Sequence, residues 1–213
     1  MGTIKQGILG GFSGNVGNVV GGSWKGIDYM RIRAARISNP QTEPQMTQRM
    51  KFAATMRFLQ PVSQFLKIGW KNYAIKMTAT NAAFKYNFHA ALQGTYPNFT
   101  IDYAKALLAH GTLTPAMNPV ASSAVANTVT FTWNNNSDEI GASPLDKTLI
   151  VVYNATKNQA VYIAELTDRA AGTQTVTVPG SFKADTVQCY LAFISIDGQL
   201  VSDSLFAGAV IVA

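Results

Sequence analysis

NTVTFTW, residues 127–133, decides the fold. Val129, Phe131 and Trp133 alternate with threonines, so a strand here has one apolar and one polar face. Stretches of similar texture follow at 148–153, 160–166, 173–178, 186–196 and 201–212. The segment 134–137, Gly172, Pro179-Gly180 and Asp197-Gly198 punctuate them as turns. Roughly seven short strands in about 95 residues read as an all-β immunoglobulin/fibronectin-III-like sandwich over 118–213. Trp133 takes the position of the core tryptophan, and 186–190 has the character of the penultimate strand. Cys189 is the only cysteine, so no intrachain disulfide can staple the two sheets. A stretch with its own alternating core and turns is expected to fold alone.

Upstream of residue 118 the texture differs. Thr42 and Gln45 form a capping box before a helix over 43–59, with Met46, Met50, Ala53, Ala54 and Phe58 inward. Pro61 opens a second helix with Val62, Phe65, Leu66 and Trp70 inward. Thr80 or Asn81 caps a third, with Phe84, Phe88, Ala91 and Leu92 inward and Gly94 as its stop. Residues 101–113 carry both strand and helix signals, and the alternation of Ile101, Tyr103 and Lys105 favours a strand.

The N-terminal stretch poses a different problem. Residues 1–26 hold nine of the 17 glycines, without the strict period of collagen. Ile8, Leu9, Phe12, Val16, Val19, Val20 and Trp24 lie among them, which separates this segment from a flexible linker. Short bent strands are expected, with a hairpin turning at Lys25-Gly26. In its second strand Ile27, Tyr29, Arg31 and Arg33 share one face, and Asp28, Met30 and Ile32 the other. The chain is therefore expected to comprise a basic, glycine-rich α+β part over 1–117 and the sandwich over 118–213.

Charge is unevenly spread. Residues 1–111 hold 13 Lys and Arg against Asp28, Glu43 and Asp102, a net +10, whereas 112–213 hold four against eight acidic residues, a net −4. This split suits a polyanion partner or head-to-tail attraction between copies. Only 13% of residues are charged, about half the usual quarter, so the surface is suited to contact with a partner. The opening residues lack the apolar run of a signal peptide, and no stretch is apolar enough to span a membrane. A cytoplasmic or virion-associated location is the expectation.

The chemistry-bearing residues form no complete motif. Gly11, Gly14 and Gly17 lack both the Gly-Lys-Ser/Thr of a Walker loop and the strand–loop–helix context of a Rossmann loop. His89 and His110 have no second ligand at metal spacing, and Cys189 reads as a small core residue. Asp138-Glu139 reads as a solvated loop tip. No catalytic, cofactor-binding or metal-binding residue is assigned, and the chain is expected not to be an enzyme. The basic residues carry more signal: Lys25, Arg31, Arg33 and Arg36 accompany Trp24 and Tyr29, a pairing of charge and stacking surface that can grip nucleic acid. An ordinary charged outer face accounts for the same residues more plainly.

The stretches GILGGFSGNVGNVVGGSWKGIDYMR (7–31), NPQTEPQMTQRMKF (39–52), GTYPNFTIDYAKALLAHGTL (94–113) and VQCYLAFISIDGQLVSDS (187–204) resemble an uncharacterised bacterial protein family of Bacteroidetes type. The resemblance covers nearly the whole chain and supports the two-part architecture without implying an activity. Asn15 stands where that family has Lys, and Gln41-Thr42 where it has Arg-Thr; both differences remove positive charge. The leading expectation is a non-enzymatic structural subunit of a homo-oligomer or polymer, a virion component or filament. Ile8, Leu9, Phe12, Val16, Val19, Val20 and Trp24 would form its assembly arm. The alternative is a nucleic-acid-binding protein that uses Trp24, Lys25, Tyr29, Arg31, Arg33 and Arg36.

Overall fold

The computed structural model describes residues 2–4, 11–35, 39 and 41–213. The chain divides into two compact units, residues 1–45 and 46–213.

The first unit is a four-stranded antiparallel meander: β1 (Thr3–Ile4), β2 (Phe12–Val16), β3 (Val19–Trp24) and β4 (Ile27–Ile32), paired in chain order. Lys25 and Gly26 both take positive φ, 46° and 81°, as the tight turn of a right-twisted hairpin requires. Two central glycines answer to rings. A Cβ on Gly21 would lie 2.2 Å from the Phe12 carbonyl oxygen and 2.7 Å from its ring, and one on Gly22 would lie 2.9 Å from the Tyr29 hydroxyl. Phe12 and Tyr29 thus cover bare backbone on opposite faces of β3.

The second unit begins with three helices, α1 (Glu43–Leu59, whose first residues belong to the first unit), α2 (Ser63–Gly69) and α3 (Ala79–Ala90). The first helix has the expected span. Its inward residues are Thr55, Phe58 and Leu59, whereas Ala53 is exposed. Val62, Phe65, Leu66 and Trp70 are buried as expected. The third helix starts earlier than expected: Thr78 is its cap, its hydroxyl accepting from the Asn81 amide at 3.1 Å. Ala82, Ala83 and Asn87 are its buried positions, while Phe84 and Phe88 are only half-buried. A short hairpin follows, β5 (Leu92–Thr95) with β6 (Asn98–Ile101).

The remaining strands are β7 (Met117–Ser122), β8 (Thr128–Asn134), β9 (Lys147–Asn154), β10 (Gln159–Asp168), β11 (Thr173–Thr177), β12 (Thr186–Ile194) and β13 (Leu205–Ile211). They form two antiparallel sheets, ordered β11-β8-β7 and β10-β9-β12-β13, packed as a β-sandwich. Val129, Phe131 and Trp133 meet Ile150, Val152, Val187, Cys189, Leu191 and Phe193 between the sheets.

The opposite face of the four-stranded sheet is also apolar. Leu149, Val151, Tyr153, Tyr190, Ala192 and Ile194 share a second core with Phe58, Leu59, Val62, Phe65 and Leu66. The unit is therefore three layers deep, helices on sheet on sheet. Helices and sandwich, expected on either side of 117/118, are covers for the same two strands, and the two compact units divide at 45/46. Residues 102–112 also differ from the expected strand; they are irregular, because their backbone groups bond elsewhere.

Among the described residues one charged side chain is fully enclosed. Arg169 is 0% exposed and pairs with Asp146 at 3.1 Å. Its guanidinium also donates to Asn136 Oδ1 (2.8 Å) and to the Thr114 carbonyl (2.7 Å), and lies 4.0 Å over the Phe193 ring. Its own carbonyl accepts from Trp133 Nε1 at 2.8 Å. Burial pushes the guanidinium pKa down and Asp146 pulls it back up.

Two outcomes test these layers. A fragment of residues 118–213 leaves six apolar side chains of β9 and β12 uncovered, so it should aggregate or bind a hydrophobic dye, whereas 46–213 should unfold in one cooperative step. Replacing Arg169→Ala strands Asp146 in an apolar site and should cost about 3–5 kcal/mol in urea denaturation; the double replacement Arg169→Met with Asp146→Leu should recover part of that loss.

Candidate functional site

The helical layer and the irregular segment after β6 together form an aromatic pocket. Trp70 comes from the end of α2, Tyr73 from the single 3-10 turn at Lys71–Tyr73, Tyr86 and Lys85 from α3, and His110 from the segment 102–112. The cavity is about 510 Å³. Ring centroids lie 5.1 Å apart for Trp70 and His110 and 4.2 Å for Tyr73 and His110. Tyr73 and Tyr86 lie within 33° and 29° of the His110 plane.

Each wall is anchored. Lys71 Nζ donates to the Gly198 carbonyl at 2.5 Å and Asn72 Nδ2 to the Gln199 carbonyl at 2.9 Å, tying the Tyr73 turn to the β12–β13 connection. Buried Asn87 pairs with Leu107 as a strand would, donating to its carbonyl (2.8 Å) and accepting from its amide (2.9 Å). The Ser204 hydroxyl accepts from the amides of Leu108 (2.8 Å) and Ala109 (3.2 Å), and the His110 amide donates to the Gly69 carbonyl at 2.9 Å. Asp203 Oδ1 lies 2.6 Å from His110 Nδ1 and accepts from the Gly111 amide at 3.0 Å. In the neutral imidazole this fixes the proton on Nδ1 and leaves Nε2 as an acceptor. Trp70 Nε1 is buried and has no hydrogen-bond partner among the described residues.

The sequence pointed to the first unit instead. Paired residues of a ladder share a face, so Phe12, Val16, Val19, Met30 and Ile32 lie on one side of the sheet, and Val20, Trp24, Ile27, Tyr29 and Arg31 on the other. The arm residues are thus split between the faces: Phe12, Val16 and Val19 on one, Val20 and Trp24 on the other. Every residue of β4 is exposed. Trp24, Tyr29 and Arg31 come together on one face, Lys25 sits in the turn, and the Arg33 amide donates to the Asn18 carbonyl at 2.7 Å. Ile8, Leu9 and Arg36 lie outside the described residues.

Sequence reasoning missed the pocket because His110 reaches it from a segment whose strand and helix signals compete and whose structure is irregular. The available signal was the spacing of Tyr86 and His89 on one helix face, with Trp70 and Tyr73 a turn apart upstream. For His110 the sequence indicates only the lack of a second ligand at metal spacing.

An immunoglobulin-like sandwich with an added helical layer, preceded by a glycine-rich sheet, defines the class of architecture. The chain belongs to a family of unknown function, DUF6266, whose model matches residues 11–208. No curated protein matches it. Among solved structures, it is similar to the solution structure of the fn3 domain of human collagen alpha-1(XX) chain. The identity is 12%, the match covers 47% of this chain and 86% of that one, and the TM-score is 0.37.

The pocket wall depends on a close backbone approach at Gly111, where a Cβ would fall 1.8 Å from the Val201 carbonyl oxygen. Gly111→Ala must push the two segments apart. It should lower the melting temperature by several degrees or more and alter near-ultraviolet dichroism from Trp70, Tyr73 and Tyr86.

Proposed function

We propose that this protein is a non-enzymatic structural subunit of a homomeric assembly, a virion component or filament, whose copies join through the glycine-rich sheet. The observation that carries the proposal is exposure. Trp24, Ile27, Tyr29, Met30 and Ile32 are 47–79% exposed, and Gly21 is the one buried residue among those described in β2, β3 and β4. A sheet that orders this many glycines and leaves its apolar side chains in water lacks the burial that stabilises such elements. Among the described strands β4 pairs only with β3, so its outer edge is open and carries no proline. The occupant we assign to it is β4 of a second copy, continuing the ladder and setting Met30 and Ile32 of the two copies as cross-strand neighbours on one face. Charge supports contact between copies as well: residues 46–111 carry a net +7 and residues 112–213 a net −4. We read the sandwich as immunoglobulin- or fibronectin-III-like and as the body that the sheet links to its neighbour.

The test is the mass of the full chain in solution. Light scattering across a rising concentration series should show association, and Met30→Lys with Ile32→Lys should reduce it by at least tenfold while the circular dichroism of the second unit is retained. A full chain that stays monomeric at the highest concentration overturns the proposal.

Nucleic-acid binding has its own supporting observation, the gathering of exposed Trp24, Tyr29 and Arg31 on one face of β3 and β4. Binding of a single-stranded oligonucleotide should then weaken steeply with salt, and replacing Arg31, Arg33 and Arg36 with Ala should reduce the salt slope by about 2–3. Affinity unchanged by that replacement removes this function from the sheet.

A further inference from the structure

We infer that the aromatic pocket of the second unit binds a nucleobase-like heteroaromatic ring that carries an anionic group. The inference stands apart from the assembly proposal, because it uses none of the residues of the glycine-rich sheet.

Four observations point to that chemistry. Tyr73 and Tyr86 lie at 33° and 29° to the His110 ring beside the buried Trp70, an aromatic lining that favours a flat ring over an aliphatic chain. Trp70 Nε1–H is a buried donor without a partner, which marks a missing acceptor. His110 Nε2, left as an acceptor by Asp203, lies in the adjacent ring, with centroids 5.1 Å apart. A donor and an acceptor on neighbouring rings suit a heterocycle that offers one of each, such as the N7 and amino edge of adenine. Finally, Lys85 is exposed at the rim, no carboxylate lines the cavity, and Lys85 makes no ion pair among the described residues. That leaves a cation free to meet a phosphate or carboxylate on the ligand.

The pocket is preformed. Trp70, Tyr73 and His110 are held by backbone anchors at Gly69, Gly198 and Gln199 and by Asp203, so little ordering is needed on binding.

The experiment uses the full chain labelled with nitrogen-15 and adenosine 5′-monophosphate as probe, with adenosine and ribose 5-phosphate for comparison. The nucleotide should shift the Trp70 indole N–H resonance at millimolar concentration and leave that of Trp133, already bonded to the Arg169 carbonyl, in place. Adenosine should bind about fivefold more weakly, and Lys85→Ala should erase that difference. Tyr86→Ala should weaken the nucleotide about tenfold or more. Lys85 and Tyr86 are surface positions, so both variants should fold. Absence of a Trp70 shift, an equal shift from ribose 5-phosphate, equal affinities for nucleotide and nucleoside, or full affinity in Tyr86→Ala each overturns the inference.

Discussion

Two strands of this protein have no face to spare. In β9 and β12 successive side chains enter different cores: Ile150, Val152, Cys189 and Leu191 face the three-stranded sheet, and Leu149, Val151, Tyr190 and Ala192 face the helices. An apolar face left in water forfeits about 25 cal/mol per Å², so the four-stranded sheet demands a cover on each side. One cover is the sandwich partner. The other is the helical layer, and the segment that follows that layer must then return across it to begin β7. The aromatic pocket lies along that return path, where Asn87, Ser204 and Asp203 receive a backbone that has no ladder of its own.

The legible part of this architecture was the part with period. Alternation in NTVTFTW identified β8 and its buried Trp133, the capping position before Glu43 set α1, and Lys25-Gly26 set the β3–β4 turn. Double-sided burial left a signal as well, in the unbroken apolar runs LIVVY at 149–153 and CYLAFI at 189–194. Such runs belong to strands covered on both faces, and reading them so would have joined the helices to the sandwich. Residues 102–112 were illegible for a deeper reason. Their conformation is set by side chains distant in sequence, which override the competing strand and helix signals between Ile101 and Leu113.

The two units solve the problem of glycine and burial in opposite ways. In the second unit buried Gly69 and half-buried Gly111 permit backbone to meet backbone. In the first unit Gly21 and Gly22 lie under the rings of Phe12 and Tyr29, and the rest of the sheet stays at the surface. The same residue serves close packing in one unit and, in the other, lets aromatic rings lie flat along a thin ribbon.

The enclosure of Arg169 reaches beyond stability. Its partners come from the segment before β7, the β8–β9 connection and, through its own position, the β10–β11 connection. Loops at the end of such a sandwich are ordinarily free to vary, and that freedom is how related folds acquire new recognition. Here the loops at this end are stitched to a single guanidinium. A change of length or sequence in any of them must still deliver an oxygen to the same point.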